Sequence, residues 1–351
     1  MPRRSSIFRC LLVFCLALFL SSAGLLCTEG QDNDSAVHVV VNMVQLNVAV
    51  TDKKGDYVTG LRPEDFVITE DGINEKLATF AEGDMPARDL SAYDANAQPG
   101  HQTEQGSTSP PTLQSLVAGA NVFVLFDSSN YMYRDFVFAE DAIAEFIRSL
   151  ETADKIAFYS YSRDLLRSAA LTSDRTQVLR GVRSTVAGDS AALYNALLLT
   201  VKDAAQCTGR KIVVVFSNGP DNSSVVPPED VAEIAQSAGV SVYIISTQEA
   251  KVEPISTAVF ERMTADTGGM AYFAKNWRDE RRAFASIQND MAHLYSLSYY
   301  PKPNQNAGWR AIKVTLAGEK ARKYKVRTRN GYRLQPRRFS GHTTSAMNSA
   351  P

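Results

Sequence analysis

Cysteine is scarce in this 351-residue chain, and the four present are badly placed for a disulfide framework. Cys10, Cys15 and Cys27 lie in or beside an apolar N-terminal segment, which leaves Cys207 alone in the body of the sequence. A lone cysteine at a helix end reads as a small packed residue rather than a nucleophile. The four histidines, His38, His101, His293 and His342, are scattered, and no His-Glu-x-x-His helix is present. Gly-x-Ser-x-Gly, Gly-x-x-x-x-Gly-Lys and Gly-x-Gly-x-x-Gly are missing as well, so the common marks of serine hydrolases, phosphate-loop NTPases and dinucleotide enzymes are excluded. Nor is there an excess of one charge: 37 Lys and Arg face 38 Asp and Glu, for a formal net charge of −1. Loss of Arg3, Arg4 and Arg9 with the N-terminal segment takes this to −4, and nothing in the balance recommends nucleic acid as a partner. These exclusions leave a non-enzymatic chain with no cofactor expected.

At the N-terminus, Arg3, Arg4 and Arg9 precede an apolar run from Leu11 to Leu20, and Ser21-Ser22-Ala23 follows as a small-residue cleavage site. Residues 1–27 therefore read as a secretory signal peptide, which places the mature protein outside the cytoplasm, periplasmic or secreted. The alternative is an uncleaved anchor, because the run with its flanks approaches the roughly 20 residues that span a bilayer. Membrane attachment would then come through this segment alone.

Further along, Val44, Leu46, Val48 and Val50 alternate with Gln45, Asn47, Ala49 and Thr51, the period of a half-exposed strand. Asp71-Gly72, between Phe66–Glu70 and a strand from Ile73 to Phe80, is a strong hairpin signal. Residues 38–83 are expected to form a β segment, and residues 84–118, rich in Ala, Asp, Gln, Ser, Gly and Pro, a linker. From Asn121, strands at 121–126, 155–161, 211–217, 240–247 and 270–275 alternate with helices near 135–150, 175–185, 190–205, 228–238, 256–267 and 278–294. That grammar predicts an open, mostly parallel α/β sheet over residues 119–294. Residues 295–335 return to strands, at Leu294–Tyr300, Trp309–Leu316 and Tyr324–Thr328. A few strands alone are marginal, so this segment is expected to pack with 38–83 as one small β-sandwich-like domain. The α/β domain would be inserted between its halves, and residues 336–351 would form a disordered tail.

The stretch Asn121-Val-Phe-Val-Leu-Phe-Asp127-Ser-Ser129 joins a strand buried on both faces to an Asp-x-Ser loop. In parallel sheets, ligands sit beyond the carboxyl ends of the strands. Taken with Asp65-Phe66, Glu70-Asp71-Gly72 and the closing Arg327-Thr-Arg329-Asn-Gly331-Tyr332, the order of motifs resembles the bacterial family of exported VWFA-related domain proteins abundant in acidobacteria. The resemblance runs from about Val39 to Tyr332 and implies a von Willebrand factor A-like, Rossmann-like fold for the middle domain. It also implies a metal-ion-dependent adhesion site, in which an Asp-x-Ser-x-Ser loop, a Thr on a second loop and an Asp on a third hold magnesium. A partner's carboxylate completes the shell of such a hard, oxygen-seeking ion.

Mapped onto that pattern, Asp127 and Ser129 match, whereas Tyr131 takes the place of the second serine, Ala191 that of the threonine and Asn218 that of the aspartate. With three positions changed the site reads as degenerate. The protein is then an exported, adhesion-type module whose protein partner meets a rim of Asn130, Tyr131, Met132, Asp189 and Asp221. An alternative keeps Mg2+ on Asp127, Ser129, Ser190 and Asn218, with Ser190 shifted into the threonine role and Asp189 or Asp221 restoring the charge. A structural envelope protein and a secreted hydrolase are more remote readings. Finally, Lys323, Lys325, Arg327 and Arg329 alternate along one predicted strand, a basic face for an anionic partner or simply a solvated edge that resists pairing.

Overall fold

A computed structural model of the chain describes residues 43–90, 119–132, 136–151, 153–218, 220–246 and 254–334. The expected signal segment, most of the linker, the whole of the tail, and His38, His101 and His342 lie outside the described residues.

Five strands come first: β1 (Val44–Thr51), β2 (Phe66–Glu70), β3 (Ile73–Glu75), β4 (Leu77–Glu82) and β5 (Arg88–Asp89). The α/β region follows with β6 (Ala120–Asp127), α1 (Phe136–Ser149), β7 (Lys155–Tyr161), β8 (Leu165–Thr172), α2 (Arg175–Arg183) and α3 (Leu193–Ala205). It continues through β9 (Arg210–Ser217), α4 (Pro228–Ala238), β10 (Val240–Ser246), α5 (Pro254–Thr267), β11 (Ala271–Phe273) and α6 (Trp277–His293). The chain then returns to strands, β12 (Tyr295–Tyr299), β13 (Trp309–Leu316), β14 (Lys325–Arg327) and β15 (Gly331–Arg333).

The central sheet has the order β11-β10-β9-β6-β7-β8, parallel except where β8 runs antiparallel to β7 at the edge. Every residue of β6 is buried, as a strand covered on both faces must be. Its side chains divide by the period of two: Val122, Val124 and Phe126 face the core under α1, α2 and α6, and Phe123 and Leu125 face that under α3, α4 and α5. Helix starts follow the sequence chemistry. Asp174 and Asn276 cap α2 and α6 by accepting backbone N–H bonds from the first turn.

Two antiparallel sheets, β14-β1-β12-β4-β5 and β15-β13-β2-β3, share one apolar core built from both ends of the chain. Leu46 and Val48 of β1 and Leu297 of β12 meet Ile68 of β2 and Val314 of β13 there. Asp71 (φ 48°) and Gly72 (φ 82°) turn the β2–β3 hairpin with both central residues left-handed, as a type I′ turn requires. The strand expected from Ile73 to Phe80 is in fact broken at Lys76: β3 pairs within one sheet and β4 within the other, so the chain turns the corner of the sandwich. Strand β8 was not expected. Only Ala169 of its eight residues is fully buried, so its pattern carries little strand signal.

Strand β1 is less exposed than its alternation suggests. Asn47 and Ala49, on the polar face, are buried, and the Asn47 amide donates to Ser241 Oγ at the start of β10 at 3.2 Å. The sandwich thus docks at the amino ends of the central strands, where Arg210, first residue of β9, reaches Asp84 at 3.5 Å. This leaves the opposite, carboxyl edge of the sheet clear of the sandwich.

Candidate functional site

At that carboxyl edge the loops after β6, before α3 and after β9 come together. The N–H of Gly188 donates to the Ser128 carbonyl at 2.7 Å, and that of Asn130 to the Asp189 carbonyl at 3.3 Å. A methyl group on Gly188 would lie 2.4 Å from Ser162 Oγ, so only glycine lets the second loop pass.

Asp127 is fully buried. One carboxylate oxygen accepts the Ser129 N–H at 2.9 Å and the other the Ser217 hydroxyl at 2.8 Å. Ser217 Oγ in turn accepts from the Tyr161 hydroxyl at 3.0 Å. Burial pushes the Asp127 carboxyl above the usual carboxylate range despite the hydrogen bonds from Ser129 and Ser217 that pull it down. Burial, with the nearby Asp127 charge, drives the Tyr161 hydroxyl well above its ordinary value. Ser129 Oγ, also fully buried, lies beside the carboxylate without a regular hydrogen bond of its own. Ser217 and Tyr161 were not singled out in the sequence, although Ser217 adjoins Asn218 at a strand end.

The remaining positions are occupied by other bonds. The Asn218 side-chain amide donates to the Tyr131 carbonyl, and the Asn222 amide donates to the Tyr131 hydroxyl at 3.2 Å. Asn222 also accepts the Ala191 N–H at 3.0 Å, and its own N–H goes to the Ala191 carbonyl at 3.0 Å. Asp221 accepts N–H groups from Tyr194, Ser223 and Ser224 at 2.8–3.2 Å, which fixes the start of α3 and its own loop. Ser190 is half-buried and makes no hydrogen bond to Asp127 or Ser129, and the exposed Asp189 carboxylate has no ion-pair partner among the described residues.

Magnesium asks for a near-octahedral set of oxygens. Asp127 and Ser129 offer two such donors, but Ala191 has none. Asn218 turns its N–H toward the first loop, and the Tyr131 hydroxyl is engaged with Asn222. The donor set present does not fit the five-residue pattern.

Two sequence expectations need correction. Met132 is not a rim residue: it is fully buried in the core beneath α1. Its backbone is turned inward by the 3-10 turn Asn130–Met132, while Asn130 and Tyr131 stay exposed. Nor do Lys323, Lys325, Arg327 and Arg329 form one basic face. Lys323 ends a short helical turn and is exposed with Lys325, but Arg327 and Arg329 point inward at the junction with the sandwich. Arg329, 7% exposed, donates to the Gln236 carbonyl at the end of α4 and to the Gln45 carbonyl at 3.0 Å. Arg327 donates to the Gly268 and Gly269 carbonyls just past α5. Each guanidinium therefore serves the electronegative end of a helix.

Among the described residues no three His, Cys, Asp or Glu side chains gather to hold a metal ion, and no helix is long and apolar enough to cross a membrane. No curated protein matches the chain. Solved structures similar in fold include the conserved hypothetical protein BatB from Bacteroides thetaiotaomicron, 16% identical, covering 50% of this chain and 99% of that one with a TM-score of 0.42. A von Willebrand factor type A structure from Catenulispora acidiphila is 12% identical over 62% of this chain and 67% of that one, with a TM-score of 0.43. The vWF domain of the type V pili tip protein Mfa5 from Porphyromonas gingivalis is 11% identical over 49% and 94%, with a TM-score of 0.42. The family model of the von Willebrand factor type A domain matches residues 121–289, the stretch that holds the parallel strands, the flanking helices and all three loops. Residues 121–289 are accordingly a von Willebrand factor type A domain, carried here between the two segments that build the sandwich.

Proposed function

We propose that this chain is an exported protein-interaction module of the adhesion type, in which the metal-ion-dependent site is degenerate and the partner is bound without a metal. Von Willebrand factor type A domains are interaction modules, and the carboxyl edge of this sheet is the face the sandwich leaves open. The observation that carries the metal-free reading is the bond from the Asn218 amide to the Tyr131 carbonyl. It ties the first and third loops directly, in the place where a cation would otherwise hold them together. Action outside the cytoplasm rests on the arginine-led apolar segment of residues 3–20.

Manganese, a paramagnetic stand-in for magnesium, tests the reading. Spin-resonance titration of the chelator-stripped protein is expected to show only free manganese. One tightly held ion per chain, displaced by magnesium and lost in Asp127→Ala, would overturn it.

A further inference from the structure

The carboxyl edge differs from the rest of the surface in two ways. The first is apolar exposure. Of the eleven large hydrophobic residues exposed among the described residues, six lie on this edge: Tyr131, Val137, Phe138, Leu166, Val186 and Val225. Val186 and Val225, on the loops before α3 and before α4, are 75% and 87% exposed. Single exposed apolar residues need no explanation, but a concentration on one face marks a contact surface.

The second is charge. Asp127 lies buried beneath this edge, Asp221 is half-buried within it and Asp189 stands exposed on it. None of the three forms an ion pair among the described residues. Arg163 and Asp164, both exposed on the neighbouring loop, add no net charge to it. On the metal-free reading these carboxylates make the centre of the edge electronegative among the described residues, with the exposed apolar side chains standing around it.

Resting on the metal-free reading above, we propose that this edge takes a basic segment of a partner protein, a lysine or arginine flanked by apolar side chains. The cation sits over Asp189 in the field of Asp127 and Asp221, and the apolar neighbours cover Tyr131, Phe138, Val186 and Val225. This reverses the chemistry of a magnesium-bearing site, which would take a partner's carboxylate. An exposed charge steers and selects while buried apolar contacts supply most of the affinity, so both halves of the motif are needed.

Selection from a peptide display library on the purified protein tests this, run in parallel in chelator and in magnesium. The expected winners carry Lys or Arg beside Leu, Phe or Trp and bind equally in both buffers. They should weaken by roughly tenfold, equivalent to about 1.4 kcal/mol, with Asp189→Lys and again with Val225→Asp. Both positions are exposed, so neither change threatens the fold. Winners that bind in chelator but are neutral or acidic, or ignore Asp189→Lys, would overturn the proposed partner chemistry and leave the metal-free reading standing. Acidic winners that need magnesium would overturn both. Failure to enrich any peptide dependent on these two residues would overturn the docking surface itself.

Discussion

Arg327 reaches both carboxylate oxygens of Asp290, at 2.6 and 2.5 Å, and Asp290 is fully buried. The Tyr243 hydroxyl adds a third bond at 2.6 Å. Asp290 belongs to α6, most of which lies in the von Willebrand factor type A domain, and Arg327 to β14 of the sandwich, so the pair ties that helix to the sandwich. Arg327→Ala should cost about 3–5 kcal/mol, because it strands a buried charge. Adding Asp290→Asn to that variant should recover part of the loss, and urea unfolding of the four combinations checks it.

The same junction depends on close backbone approach. A methyl group on Gly269 would sit 1.9 Å from the Val242 carbonyl oxygen, with no flexible side chain to give way. Gly269→Ala should therefore destabilise by about 3 kcal/mol, the upper part of the range for overpacking. Gly308→Ala meets nothing nearer than Asn306 Oδ1 at 3.5 Å and should stay within about 0.5 kcal/mol of the parent.

These two predictions concern a strap that the sequence displayed without explaining. Arg327-Thr-Arg329 was visible as alternating charge, but alternation cannot say that one face of a three-residue strand is covered by helix ends. The same limit applied to β1, whose Asn47 looked solvent-facing until Ser241 was placed opposite it. The parallel strands were legible because Val122–Phe126 and Ile212–Phe216 are apolar throughout, and only burial on both faces requires that. At the site, the positions of Asp127, Ser129, Ala191 and Asn218 could be read by motif. The partners that use up their bonding capacity, Ser217, Tyr161 and Asn222, come from separate loops and strands with no shared spacing. Met132 was misplaced because a 3-10 turn reverses its direction relative to Tyr131.

Asp127 gives a prediction in pH. Burial raises its carboxyl above the unfolded value, so its ionised form is penalised in the fold. Stability from this group is fully present below the ordinary carboxylate range and declines as pH rises through the raised folded value. Asp127→Asn should thus melt higher than the parent at neutral pH, and the two curves should converge in acid. An asparagine that lowers the melting temperature at pH 7 would mean that something offsets the charge in the native protein.

Restoring the family pattern should restore the ion. In the triple variant Tyr131→Ser, Ala191→Thr, Asn218→Asp, a second carboxylate is brought to the site of Asp127, so the protein should be less stable than the parent in chelator. Magnesium at about a hundred times its dissociation constant should then add about 2.7 kcal/mol. Calorimetry in the two buffers reads both effects.

The central claim is that the loops at the carboxyl edge are held by direct hydrogen bonds rather than by a metal. Thermal unfolding of the chelator-stripped protein, titrated with magnesium and with manganese to millimolar concentration, addresses it most directly, because any ion bound only by the folded state must raise the melting temperature. No saturable rise is predicted, in the parent or in Asp127→Ala. A saturable rise in the parent that disappears in Asp127→Ala would contradict the account.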